Sequence, residues 1–214
     1  MHVTRLALAA RDPISLCDFY AETLGFDPVP GSQRSVEAGE TTLWFELGDS
    51  VPYHVAFSVD ASLDSVIDWV DEHVGVLPTD EGPSIRFDFL DCDSVYFEDP
   101  AGNVVEYICY DGSDGEFDPE TDVLGVTEVG LTVPDVESFL SDLTAALDIE
   151  VWSEFGEGNV AFVGDKHARF VVAAEGRPWY PTDTDAEIAP VSVQCDAEGV
   201  FEPEGLPYRV NVGQ

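Results

Sequence analysis

The chain has 214 residues, enough to bury a substantial core as one large domain or two small ones. At 44% hydrophobic and 11% aromatic residues its composition is that of a folded chain and excludes disorder. Forty-four acidic residues against eight basic ones give a formal charge of −36, which excludes nucleic acid and anionic membrane surfaces as partners because both would repel it.

Residues 3–10 read as a strand. Asp12-Pro13 then starts a helix, Asp as N-cap and Pro at the first helical position. Leu16, Phe19, Tyr20 and Leu24 fall on one helical face, and Gly25 is the expected C′ residue. Strands follow at Phe26–Val29, Ser35–Ala38 and Thr41–Leu47. The same order begins again at Tyr53, with a helix carrying Leu63, Val66, Ile67, Val70 and Val74 and ending at Gly75, then strands at Ile85–Leu90, Ser94–Glu98 and Asn103–Tyr110. An acidic, Gly-containing stretch over 111–122 marks a boundary. A third copy starts at Thr127 and aligns without a gap on Thr4, with Phe139, Leu140, Leu143 and Leu147 as its helix stripe and a closing hairpin over 163–172. Only two short strands, Val191–Gln194 and Tyr208–Val212, remain for a fourth copy.

The repeat predicts an α+β fold of βαβββ modules paired into an incomplete β-barrel cup, with a third module and a truncated fourth. The expected organisation is 1–112 as the functional half, 113–123 as an acidic linker and 124–214 as a degenerate half. The N-terminus lacks the apolar core of a signal peptide and no run spans a bilayer, so a cytoplasmic location without membrane contact is expected. Cys17, Cys92, Cys109 and Cys195 form no C-x₂-C pair, which predicts free thiols.

One hairpin carries the strongest signal. In Tyr96-Phe-Glu-Asp-Pro-Ala-Gly-Asn-Val-Val-Glu-Tyr-Ile108 two β-forming runs flank a tight turn. Glu106 stands mid-strand among Val, Ile and Tyr, where a carboxylate needs a cation, a metal or hydrogen-bond donors. This segment resembles the last hairpin of a module in the vicinal oxygen chelate superfamily, which includes glyoxalase I, extradiol dioxygenases and the bleomycin-resistance proteins. The resemblance implies that Glu106 is a metal ligand. Aligning the copies puts Glu46 of the first in the slot of Glu106, Val172 of the third in that same slot, and Arg5 and Glu128 in the slot of His54. In glyoxalase I the equivalent four slots hold His, Glu, His and Glu.

Modules one and two are thus expected to share a cup holding Arg5, Glu46, His54 and Glu106, floored by the small residues Ala7, Ala9, Ala56 and Ser58. Arg is permanently charged and cannot ligate, which leaves His54, Glu106 and Glu46 as metal ligands. Arg5 and Glu46 are the expected catalytic pair, Glu46 moving a proton and Arg5 binding an anionic group of the substrate. The oxygen-rich set suits Mn²⁺, Fe²⁺ or Mg²⁺, and its imidazole also suits Zn²⁺ or Ni²⁺. Glu128 is read as a residue outside any site, His2 and His167 as solvated, and His73 as favourable with its helix dipole. The Gly176–Pro181 stretch reads as a structural turn whose aromatics are available to a homodimer interface.

Two functions fit: a divalent-metal lyase or dioxygenase acting on a small oxygen-bearing molecule, or a metal-free binding protein of the bleomycin-resistance kind using the same cup. The acid surplus fits the salt-rich cytoplasm of a halophile, where repulsion is screened within about 3 Å at 1 M salt. The melting temperature is therefore expected to climb from low salt to about 2 M KCl, and a flat or falling profile would refute that reading.

Overall fold

The computed structural model describes residues 1–49, 51–155 and 158–211. The first copy runs β1 (Val3–Ala10), α1 (Pro13–Glu22), β2 (Asp27–Pro28), β3 (Ser35–Ala38) and β4 (Thr41–Leu47). The second runs β5 (His54–Val59), α2 (Leu63–His73), β6 (Ile85–Phe87), β7 (Cys92–Glu98) and β8 (Val104–Tyr110). A single turn, α3 (Pro119–Asp122), leads to the third: β9 (Val123–Val133), α4 (Val136–Leu147), β10 (Val151–Phe155), β11 (Val160–Gly164) and β12 (Arg169–Ala174). The remnant supplies β13 (Val191–Cys195) and β14 (Tyr208–Val210). Val212, expected in the last strand, lies outside the described residues.

Local chemistry sets the ends of these elements. Asp12, Ser62 and Asp135 cap the three long helices, each accepting from the backbone N–H three residues on, at 3.1, 3.4 and 2.8 Å. Gly75 closes α2 at φ 86°, donating to the carbonyl of Val70. The end of α1 departs from expectation: Thr23 is the C-cap, and Gly25 follows two residues later at φ 73°. The strand expected over 85–90 stops at Phe87 because residues 88–91 form a turn with Asp91 at φ 52°. The acidic stretch is fastened at several points, with Phe117 buried against Trp69 and Tyr107 and Gly115 O accepting from Ser62 and Ser65.

The modules pair two by two, as the cup requires, but in a different combination from the expected one. The second and third share an eight-stranded sheet of order β10-β11-β12-β9-β5-β8-β7-β6, joined by antiparallel pairing of β5 with β9. The first and the remnant form a six-stranded sheet of order β14-β13-β1-β4-β3-β2. The edge of β1 not used by β4 is taken by β13, from Val3–Cys195 to Leu8–Val191, so β1 has no edge left for β5. The 113–123 stretch therefore connects β8 to β9, two strands of one sheet that flank β5.

Period-two alternation sorts side chains between two environments. On the eight-stranded sheet Val55, Phe57, Val105, Tyr107, Val129, Leu131, Phe170 and Val172 join a continuous core that reaches from Val3 to Val210 and packs on the helices. The other face carries His54, Ala56, Glu106, Glu128 and Val171 and curls into an open half-barrel. No helix among the described residues is long and apolar enough to cross a membrane.

The turn between β7 and β8 depends on Asp99, which is 5% exposed. Its carboxylate accepts from the backbone N–H groups of Ala101 and Asn103, from Asn103 Nδ2 and from the Tyr20 hydroxyl of α1, at 2.7–3.0 Å. It thereby shapes the turn and ties it to the first module. Asp99→Ala strands these buried donors and is expected to cost about 2–4 kcal/mol in urea unfolding. A change below about 1 kcal/mol would show that the network is incidental.

Candidate metal centre

Three adjacent strands build the centre of the cup. Ala56 on β5 pairs with Glu106 on β8 on one side and with Glu128 on β9 on the other. A methyl group between two carboxylates leaves them room to converge over the sheet. His54 stands two residues earlier on the same face of β5. One ligand atom from each of His54, Glu106 and Glu128 lies within 4.8 Å of the others, and all three residues are buried at 5, 2 and 3% exposure.

The imidazole is oriented by the backbone. His54 Nδ1 lies 3.2 Å from the carbonyl oxygen of Val104, which can only accept, so Nδ1 carries the hydrogen. Nε2 faces Glu128 Oε2 at 3.2 Å and Glu106 Oε2 at 3.5 Å. Nε2 is thus the ring atom that meets the two carboxylate oxygens, placed either to ligate a cation with them or to carry a proton hydrogen-bonded to Glu128. The backbone-anchored N–H is the usual support for a ligating His. The residues fit a divalent ion on this ground.

Arg169 completes the cluster from β12, where it pairs with Glu128 in register. It is fully buried, donates from Nε to Glu128 Oε1 at 2.7 Å, pairs through Nη2 with the same oxygen, and lies over the rings of Trp152 and Phe162. Burial pushes the Glu128 carboxyl up, but Arg169 and His54 outweigh it and hold it below its ordinary value. Glu106 goes the other way, to about 7, through burial and the facing charge of Glu128. Burial favours neutral His54, yet the hydrogen bond to Glu128 and both carboxylate charges raise its pKa overall.

A cavity of about 200 Å³ opens over the three residues. Its walls are mainly apolar, from Ile85, Phe87, Tyr96, Val160, Phe162 and Val171, and its rim is the strap after β12. Trp179 in that strap is 3% exposed, lies 5.5 Å from the His54 ring and donates from Nε1 to Pro52 O at 3.2 Å. The strap, read from sequence as a structural turn, is thus a wall of the pocket.

His54 and Glu106 come together as expected, whereas Arg5 and Glu46 do not join them. They lie on the six-stranded sheet, where Glu46 is exposed beside a separate cleft and Arg5 stacks on Trp44 at 5.0 Å. Register explains the difference. Within a module the opening strand pairs in parallel with the closing one, and Ala56, two residues after His54, meets Glu106. The same count from Arg5 reaches Trp44, and from Glu128 it reaches Val171. Glu46 is two residues beyond that slot, and Val172 is one residue beyond and faces the core.

Glu128 was passed over in sequence, although it sits mid-strand among apolar residues as Glu106 does and shares the slot of His54. Assigning the cup to the first two copies discarded it. Arg169 had no such signal, being one Arg at the head of an apolar run. His73 does sit at its helix end, with Nδ1 2.8 Å from Trp69 O, and His2 and His167 are exposed.

The chain is similar to a "putative dioxygenase" from Bacillus subtilis, with a TM-score of 0.58 at 15% identity over 91% of this chain and 70% of that one. It is also similar to glyoxalase I from Zea mays, with a TM-score of 0.52 at 15% identity over 90% of this chain and 74% of that one. No protein-family model matches the sequence, and no curated protein does. At such identities the likeness is one of fold.

Gly130 offers a test of this packing. A Cβ there would stand 2.9 Å from Trp179 Cη2 and 3.1 Å from His54 Cβ. Gly130→Ala is expected to push the strap off the imidazole and to cost about 1–3 kcal/mol in urea unfolding. Unchanged stability with unchanged tryptophan fluorescence would mean that the two rings do not meet in solution.

Proposed function

We propose that the chain is a vicinal oxygen chelate protein and a divalent-metal enzyme of the glyoxalase or dioxygenase kind, acting on a small oxygen-bearing molecule. The observation that carries this is the convergence of His54 Nε2, Glu106 and Glu128, each buried, at the floor of a mainly apolar cup. His54, Glu106 and Glu128 hold the ion, with Glu128 in place of Glu46. Mn²⁺, Fe²⁺ and Mg²⁺ suit the two carboxylates, and the imidazole also admits Zn²⁺ or Ni²⁺. When bound, the ion supplies Lewis-acid polarisation of a substrate oxygen.

The protein's own groups divide the remaining work. Glu128, fixed by Arg169, stays ionised and anchors the charge of the site. Without an ion, burial and the charge of Glu128 hold Glu106 well above an ordinary carboxyl, and with a cation seated Glu106 gives up that proton and becomes the second anionic ligand. The mainly apolar walls lower the local dielectric and strengthen these interactions.

A second reading follows from Arg169. With His54 protonated, two cations face two carboxylates and the charges close without an ion. On that reading the chain is a metal-free binding protein that holds its ligand in the same cup.

Elemental analysis of protein purified without a chelating tag separates the two, with about one ion per chain expected for the enzyme. His54→Ala, Glu106→Gln and Glu128→Gln are each expected to weaken metal binding by about 100-fold or more, beyond the cost of losing a supporting partner. Glu46→Gln is expected to leave it unchanged. Metal-free protein after growth and dialysis with Mn²⁺, Fe²⁺ and Zn²⁺ moves the assignment to the binding protein, and retention of metal by the Glu128 variant removes that residue from the site.

A further inference from the structure

Arg177 lines the same cavity as His54, Glu106 and Glu128. It is half-buried, and its one described hydrogen bond runs from Nη1 to the carbonyl of Pro178 at 3.1 Å. Among the described residues no carboxylate lies within ion-pair distance of it. Arg86, Arg169 and Arg209 take carboxylate partners, whereas Arg5, Arg11, Arg34 and Arg177 have none among the described residues, and of these four Arg177 is the one that lines the cavity. Burial without an anion lowers its pKa, as a desolvated and uncompensated guanidinium requires.

The strap holds this charge in place. Arg177 N donates to Ala174 O at 3.1 Å and Ala186 N donates to Arg177 O at 2.8 Å, so both ends of the strap close on this residue. Trp179 is fastened to Pro52, and the Tyr180 hydroxyl accepts from Asp80 N at 3.4 Å. A partly desolvated guanidinium on a ligand cavity, carried on an anchored backbone, is suited to bidentate capture of an oxyanion.

The charge of the whole cup agrees. With a divalent ion seated, the ion, Arg169 and Arg177 carry four positive charges against the two of Glu106 and Glu128. The surplus lies in an apolar pocket, where leaving it unmatched is costly. The cavity, at about 200 Å³, is smaller than the ~300–1,000 Å³ of sites for drug-sized ligands, which limits the occupant to a small molecule.

We infer that the ligand of this cup is a small monocarboxylate with an apolar body, its carboxylate held by Arg177 and its body against Trp179 and the aromatic walls. The inference deepens the proposed function by naming its substrate class. It rests on that reading for the metal at the opposite end of the ligand and for the surplus charge that the metal brings, and stands apart from it in the placement of Arg177.

Calorimetric titration of the full chain with benzoate and with benzamide, its neutral counterpart of the same shape, tests it in KCl that maintains the fold. Benzoate is expected to bind at least tenfold tighter than benzamide, against the repulsion of a protein of charge −36. Arg177→Gln is expected to abolish that preference while leaving benzamide affinity and Mn²⁺ binding, read by electron paramagnetic resonance, unchanged. Equal affinities for the two probes in the unmodified protein would overturn the inference without any variant, as would benzoate binding that survives Arg177→Gln. Phenyl phosphate binding tighter than benzoate would overturn the carboxylate assignment. Loss of Mn²⁺ binding with the benzoate preference intact would remove the metal enzyme and leave the carboxylate site standing.

Discussion

Two carboxylates buried on either side of Ala56 set the terms for everything around them. Like charges this close in a low-dielectric cup repel, and no arrangement holds both ionised without cations nearby. Arg169 is the cation that the fold supplies, a fully buried guanidinium whose loss would leave Glu128 uncompensated, typically a penalty of about 3–5 kcal/mol. One Arg answers one Glu. The second charge, on Glu106, is left for a proton, for His54 or for an ion.

The seam between β5 and β9 creates this situation. Neither the second nor the third module holds the cluster alone: His54 and Glu106 come from one, Glu128 and Arg169 from the other. The first module carries the same slots with other contents. Arg5 over Trp44 occupies the positions of His54 and Glu106, and Arg34 lies 5.9 Å from the same Trp44 ring. Repeated backbone geometry therefore supports a buried His-Glu-Glu cluster in one sheet and a cation–π stack in the other. The choice between them rests on two residues per module.

Much of the fold was legible in the sequence because it is written several times. Capping residues, apolar stripes and the Asp-Pro-Ala-Gly-Asn turn act locally, and each repeat confirms the others. His54 and Glu106 were legible for the same reason, being polar residues in strands that otherwise fill with apolar ones. What alternation and spacing do not carry is which edge of a strand finds which partner. Self-comparison of copies pairs the first with the second as readily as the second with the third, and that choice displaced Glu46 and Arg5 and concealed Glu128. Register is equally invisible: Val171 and Val172 are alike in type, yet one lines the cup and the other the core. Arg169 and Trp179 enter through tertiary contacts alone.

The pairing of β1 with β13 also bears on how the chain comes to be folded. Thr4 bonds to Gln194 at a separation of 190 positions, so β1 is completed by a strand made long after it. Loop closure over that span is slow, and contacts so distant in sequence lengthen folding. Throughout synthesis β1 presents an unpaired edge of mostly apolar residues, the kind of template on which nascent chains cross-pair. The acidic charge spread along the chain meets that hazard directly, because two incomplete copies repel one another before their edges can meet. The acid surplus thus guards the time before the sheet closes as well as the surface after it.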